Sequence, residues 1–311
     1  NLNLFIDIAK SYEIDPDNPL LTARDRPDAP LAKAGHGWLT DTPSGELYLV
    51  HLCARPGKAG RCMLGRETAI QKVHWTEDGW LRLSGGDNIP RQEVPAPDLP
   101  SCPWPDRPVR DEFNDPELPI AYQSLRVPVQ ASWLSLAERP GWVRLRGRQS
   151  LCSRHYQSLI ARRVTSWRGR AATRVDFAPE TFQQMAGLVA YYNTRNWAYL
   201  RISHDEQLGR CLGVAVCDNG RYDELLGRDI QLPGNGAVEL RLTIDAEAGQ
   251  FYWAPDGGDW QGIGPQWDAS KLSDEYVEGW GFTGAMVGIC CQDLSGQFQP
   301  ADFDWFEYET L

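Results

Sequence analysis

The stretch Val73-His74-Trp75-Thr76-Glu77-Asp78-Gly79-Trp80-Leu81-Arg82-Leu83 reads as a β-hairpin. Apolar residues recur at every second position on both sides of an Asp-Gly pair, and glycine there accepts a positive φ without a Cβ penalty. The same signature recurs along the chain. Leu47–Cys53, Trp142–Arg146, Ala172–Phe177, Leu188–Tyr192, Ala198–Ser203, Cys211–Cys217, Val238–Ile244, Gln250–Ala254, Phe282–Gln292 and Phe303–Tyr308 all read as strands. Asp245–Gly249 is a second hairpin turn, and only Pro179–Met185 looks like a short helical turn. Period-two patterning with almost no 3.6-residue periodicity predicts an all-β fold.

Composition narrows the function classes. Of 311 residues, 42 % are hydrophobic and 23 % charged, and no apolar run is long enough to span a bilayer, so neither disorder nor membrane insertion fits. The 31 Lys and Arg are outnumbered by 42 Asp and Glu, for a net charge of -11, which lacks the electrostatic footprint of a nucleic-acid binder. Aromatic residues are abundant, with 13 Trp, 11 Tyr and 9 Phe. Rings of this kind stack on sugars or fill sheet cores, the second use being the more common.

Between Ile89 and Pro108 stand seven prolines in twenty residues, the composition of a linker. The expected division is therefore residues 1–88, a linker over 89–109, and a second domain over 110–311. The second block has the many short, evenly spaced strands of a β-sandwich. The first has too few to close a barrel or propeller by itself.

The eight cysteines form no C-x-x-C pair and no His/Cys pattern that would wrap zinc. Cys290 and Cys291 are neighbours on an expected strand, so they face opposite sides and at least one is a buried small hydrophobe. Reduced thiols and a cytoplasmic setting are the expectation.

Four segments look chemically loaded. In Ala34-Gly35-His36-Gly37 the flanking glycines leave the imidazole unshielded, although a hydrogen-bonded structural histidine is the more common reading of such a motif. In Leu64-Gly65-Arg66-Glu67-Thr68 the planar guanidinium of Arg66 can hold two vicinal hydroxyls or a carboxylate, or simply pair with Glu67. Gly279-Trp280-Gly281-Phe282-Thr283-Gly284 carries two rings towards a strand, either as a sugar-binding wall or as a sandwich edge. Asp256-Gly257-Gly258-Asp259-Trp260 has oxygens for calcium but the ligand count of an ordinary turn. No G-x-S-x-G elbow, Walker loop, G-x-G-x-x-G or H-E-x-x-H occurs.

Pro16-Asp17-Asn18-Pro19-Leu20-Leu21-Thr22, Ala34-Gly35-His36-Gly37, Tyr48–Arg55, Leu64-Gly65-Arg66-Glu67-Thr68 and Trp75–Trp80 resemble, in order, the C-terminal part of the catalytic propeller of glycoside hydrolase family 43, in its β-xylosidase branch. Arg110-Asp111-Glu112-Phe113, Gln183–Leu188, Tyr191–Thr194, Phe282–Ala285, Cys291–Leu294 and Ala301–Asp304 resemble the β-sandwich appended to those enzymes.

The resemblance implies the final portion of a five-bladed β-propeller followed by a concanavalin-like or jelly-roll β-sandwich. It implies an inverting exo-β-xylosidase that releases xylose from xylo-oligosaccharides, with α-L-arabinofuranosidase activity as a companion. Such inversion needs acid and base carboxylates roughly 6.5–9.5 Å apart. In the family the base, the tuning Asp and the acid Glu all lie upstream of the segment matched by Pro16–Thr22, so no residue of this chain is identified as catalytic. The chain alone is expected to be incomplete and inactive until an N-terminal propeller segment is supplied. What carries over is His36, matching the propeller-centre histidine beside an axial water or cation; Arg66, matching the arginine on the sugar hydroxyls; and Phe282, matching the ring that closes the pocket. No cofactor is expected to be required, with calcium the one ion admitted, and homo-oligomerisation is expected by resemblance. The alternative is a non-catalytic carbohydrate-binding or assembly module.

Overall fold

In the computed structural model, which describes residues 13–24, 26–106, 108–279 and 281–311, strands hold 46 % of the chain and helix 1 %. The all-β expectation holds. Contacts group the chain into two units, one of residues up to Pro56 plus Arg66–Trp104, the other of Gly57–Gly65 plus Pro105–Leu311.

The first unit is a four-stranded antiparallel meander, β1 (Ala32–Asp41), β2 (Leu47–Ala54), β3 (Glu67–Trp75) and β4 (Leu81–Leu83), in the order β1-β2-β3-β4. That is the pattern of a single propeller blade. The Asp-Gly hairpin joins β3 to β4: Gly79 takes φ 84°, and the Thr76 amide donates to the Trp80 carbonyl at 2.8 Å. Leu49, Val73 and Leu83 form the core, with Leu20, Leu21, Leu47 and Leu81 packed on it. The Pro-rich stretch expected as a linker folds back over this sheet. The Gln71 side chain donates to the Arg91 carbonyl at 2.8 Å and accepts from its amide at 3.0 Å, and the Asp98 amide donates to Glu46 at 2.8 Å.

The second unit holds β5 (Arg110–Asp111), β6 (Gln123–Ser124), β7 (Leu134–Ser135), β8 (Val143–Arg146), β9 (Ser158–Arg163), β10 (Arg168–Asp176), β11 (Gln184–Asn193), β12 (Asn196–Asp205), β13 (Gly209–Asp218), β14 (Arg221–Glu224), β15 (Ile230–Gln231), β16 (Val238–Asp245), β17 (Ala248–Pro255), β18 (Gln261–Asp268), β19 (Met286–Asp293) and β20 (Pro300–Thr310). They make two eight-stranded sheets, one ordered β18-β17-β16-β10-β20-β8-β7 with β5 on β20, the other β14-β13-β12-β11-β19-β9-β6 with β15 on β13.

Alternation decides the faces. In β16, Val238, Leu240, Leu242 and Ile244 point into the core between the sheets, while Glu239, Arg241 and Thr243 are only half-buried. In β11 both faces are buried: Leu188, Ala190 and Tyr192 enter that core, whereas Val189 and Tyr191 join a second apolar cluster with Leu151 and Tyr199. β20 changes parity midway. Ala301 and Phe303, then Phe306 and Tyr308, all reach the core because the pairing with β10 slips between Arg174 and Val175, as a β-bulge does.

Some expectations need correcting. β19 starts at Met286 rather than Phe282, since Gly284 at φ 102° interrupts the extended backbone. Residues 179–185 supply one turn, with the Gln184 amide donating to the Thr181 carbonyl, and then enter β11. Ala32–Asp41, which contains the glycine-flanked His36 and is not among the expected strands, is a strand. The stretch Gly57–Gly65 groups with the second unit because Met63 and Leu64 are fully buried in the sandwich core.

No disulfide is formed among the described residues. Cys290 and Cys291 are both fully buried, one in each apolar cluster, as opposite faces of β19 require. Among the described residues no helix is long and apolar enough to cross a membrane.

Candidate functional site

His36 sits on β1, where the pairing with β2 shifts register between Ala32 and Gly35 and again between Gly35 and Trp38. Lys33 at φ 53° and His36 at φ 47° occupy the left-handed region, which for a non-glycine residue costs on the order of 1 kcal/mol. These irregularities re-aim the side chain, and the imidazole is exposed. Gly37 is needed for packing: a Cβ there would lie 2.7 Å from Leu49 Cδ1.

Arg66 immediately precedes β3 and is half-buried. Leu52 of β2 pairs with Gly35 on one side and Thr68 on the other, so His36 and Arg66 come to the same end of the sheet. With β2 between them, their backbones are about 10 Å apart by strand spacing. Glu67 is taken up by Arg55, whose Nη2 and Nε donate to its two carboxylate oxygens at 2.7 and 2.9 Å. That fork raises the Arg55 pKa, so the guanidinium stays charged beside the strand ends.

A third residue at this end escaped sequence reasoning. His51 of β2 is 1 % exposed, its Nδ1 lies 2.9 Å from the Leu52 carbonyl, and its buried Nε2 has no partner among the described residues. The available signal was parity: Leu47, Leu49, His51 and Cys53 alternate on one face, and an imidazole at a core position is unusual.

Phe282 belongs to the other unit, on the loop before β19, and is 58 % exposed. Trp280, the other ring of that motif, lies outside the described residues. Glycines fix this loop. A Cβ on Gly281 would overlap the Tyr192 hydroxyl, which donates to Asp274. Gly284 approaches Leu64 and Gly65, and the Ala285 amide donates to the Met63 carbonyl at 2.8 Å.

The Asp256–Trp260 segment is the turn between β17 and β18. Asp256 accepts two bonds from Arg174, at 2.8 and 2.7 Å, and the Arg241 guanidinium lies 3.6 Å from the Trp260 ring centre. Among the described residues no group of three or more His, Cys, Asp or Glu side chains is placed to hold a metal ion, near His36 or elsewhere.

Comparison with known proteins adds to this geometry. Residues 110–309 match the family model "Beta xylosidase C-terminal Concanavalin A-like domain", and residues 6–81 match "Glycosyl hydrolases family 43". The chain is 42 % identical over 315 residues to the "Beta-xylosidase" of Bacillus subtilis (strain 168), covering 97 % of this chain and 59 % of that protein. It is 41 % identical over 310 residues to the "Xylan 1,3-beta-xylosidase" of a Vibrio species, covering 96 % and 57 %. The crystal structure of the xylan beta-1,4-xylosidase from Bacillus halodurans C-125 superposes with a TM-score of 0.94 at 48 % identity, over 96 % of this chain and 57 % of that one. The chain thus spans less than two thirds of the length of these relatives.

Proposed function

Because the chain belongs to glycoside hydrolase family 43, we propose that it works in the hydrolysis of non-reducing-end β-xylosides of xylo-oligosaccharides, by inversion and with α-L-arabinofuranosides as second substrates. The observation that carries this reading is the agreement between two family models and relatives named β-xylosidase over 96 % or more of the chain. A relative from Bacteroides ovatus, 32 % identical over 96 % of the chain, is a "Non-reducing end alpha-L-arabinofuranosidase", which supports the second substrate.

In this reading Arg66 donates its planar fork to two vicinal sugar hydroxyls. His36, exposed on the bulge of β1, hydrogen-bonds water or sugar from the same sheet end. Phe282 offers its ring to the C–H face of a sugar. In this reading neither the general acid nor the general base is a carboxylate of this chain. The lack of disulfides among the described residues supports a reducing compartment, and self-association belongs to the same proposal.

The test compares the chain alone with a chimera carrying the N-terminal propeller segment of the Bacillus subtilis relative. The expected result is hydrolysis of p-nitrophenyl β-D-xyloside by the chimera and none by the chain. A folded chimera inert on both β-xylosides and α-L-arabinofuranosides would overturn the function, and turnover by the pure chain would overturn the placement of acid and base.

A further inference from the structure

Two cysteines far apart in sequence meet on the outer face of one sheet of the sandwich. Strand register places the first. Cys217 of β13 pairs with Trp197 of β12, which pairs with Tyr191 of β11, so the three side chains stand in one row, in the apolar cluster that also holds Leu151. The loop between β8 and β9 crosses this row and places the second. Leu151 fastens it: its amide donates to Gln292 Oε1 at 3.3 Å, its carbonyl accepts from the Tyr191 hydroxyl at 3.4 Å, and its side chain is fully buried. Beyond Leu151 the chain turns, with the Ser153 amide donating to the Ser150 carbonyl and Arg126 Nη1 donating to the Arg154 carbonyl, both at 2.9 Å. Cys152 is held between these anchors, where its thiol and that of Cys217 hydrogen-bond each other.

The two thiols differ in access. Cys152 is exposed, whereas Cys217 is 4 % exposed. Burial, and then the neighbouring Cys152, raise the Cys217 pKa, so Cys217 keeps its proton while the outer sulfur meets solvent. No other cysteine of the sandwich competes for Cys217. Cys211 faces the same way on β13 but lies six residues off, about 20 Å along a strand, and its thiol donates to Asp229 at 3.4 Å. Cys290 and Cys291 are fully buried.

We propose that Cys152 and Cys217 form a site of reversible oxidation that takes a peroxide and becomes a disulfide, stapling the loop between β8 and β9 to β13. The Cys152 sulfur, as thiolate, attacks one peroxide oxygen. An S–O bond forms, the O–O bond breaks, and the departing hydroxide takes up the proton that Cys152 released, leaving a sulfenic acid and one water. The Cys217 sulfur then attacks the Cys152 sulfur. The S–S bond forms, the S–O bond breaks, and the hydroxyl leaves with the Cys217 proton as a second water. Two thiols lose two electrons and one peroxide is reduced to two waters. A dithiol reductant reverses the change by thiol–disulfide exchange. In a compartment that keeps thiols reduced such a bond is transient and senses oxidant. The site stands independently of the glycosidase reading, since every residue in it belongs to the sandwich.

Hydrogen peroxide is the probe, applied to the intact chain carrying Cys102→Ser, which removes the other exposed thiol and leaves seven of the eight. Ellman's reagent in denaturant should then count five thiols after peroxide, and seven again after dithiothreitol. Tryptic digestion should join Gln149–Arg154 to Cys211–Arg221, with fragmentation placing the bond at Cys217. With Cys217→Ala added, Cys152 should stop at the sulfenic acid and be trapped by dimedone; no adduct there would overturn the role of Cys152 as the attacking sulfur. If that variant does not fold, the peptide map decides. The proposal is overturned by a count that stays at seven, by Cys152 carried on to a sulfinic acid with Cys217 still reduced, or by a bond from Cys152 to another cysteine or to a second copy of the chain.

Discussion

Gly65 and Gly284 lie backbone against backbone: a Cβ on Gly284 would stand 2.8 Å from the Gly65 Cα, and one on Gly65 would stand 2.6 Å from the Gly284 Cα. Both take positive φ, 71° and 102°. No side chain fits between them, and the contact holds the loop that carries Phe282 against the stretch Gly57–Gly65.

Gly284→Ala therefore combines backbone strain with a clash against main-chain atoms that cannot rotate away. A loss of about 2–3 kcal/mol is expected, read from urea unfolding of the chain. Gly279, at φ 95° with nothing within 4 Å of a Cβ, is the control and should lose about 1 kcal/mol. Equal effects at the two positions would show that the close approach contributes nothing.

Asp302 links stability to acid pH. It is 7 % exposed and accepts from Arg144 Nε at 2.7 Å, Arg144 Nη2 at 2.8 Å and Arg139 Nη1 at 2.8 Å. Burial pulls its pKa up, but the Arg144 and Arg139 bonds prevail and hold it below the usual carboxylate value. A depressed folded-state pKa adds stability that is present above the unfolded pKa of about 3.9 and is lost as pH falls through the folded value. Asp302→Asn should lower stability by about 2 kcal/mol at neutral pH, and the gap from the parent protein should close in acid. Denaturation midpoints from neutral pH down to about pH 3 check this; a gap that stays constant with pH would remove Asp302 from the linkage.

The thiols should divide by exposure. Cys102 and Cys152 are exposed and the other six buried. Burial pushes Cys290 up to about 12, and burial with the neighbouring Asp229 charge pushes Cys211 up to about 12. Since the thiolate is the reactive form, Ellman's reagent should titrate two thiols rapidly in the folded chain and all eight in denaturant. Rapid reaction of a third would mean that one of the buried cysteines is reached without unfolding.

Within the proposed function, Arg66→Ala in the active chimera should reduce kcat/KM by more than about 2 kcal/mol of transition-state stabilisation, the scale of a lost charged hydrogen bond. Arg66→Lys should recover only part, because an ammonium lacks the planar fork. An unchanged kcat/KM would take Arg66 out of the site.

Much of the strand layout is legible in one dimension. Val73–Leu83 and Val238–Ala254 form hairpins because alternation and turn residues act over neighbouring positions, and Cys290 and Cys291 face opposite ways because adjacent strand residues must. The family, and with it the nomination of His36, Arg66 and Phe282, was legible in short ordered motifs. The strand around His36 was not, because its two register shifts break the alternation that reveals a strand, nor was the burial of His51.

Local pattern thus specifies which segments extend and which face of each is apolar, since those properties depend on residues within a few positions of one another. Packing between distant segments decides the rest. It buries Met63 and Leu64 in the sandwich core, brings Gly65 against Gly284, and sets the Tyr122 hydroxyl between Asp111 and Arg162. Each of these depends on which surfaces fill one another's space, and no single stretch of chain contains that information.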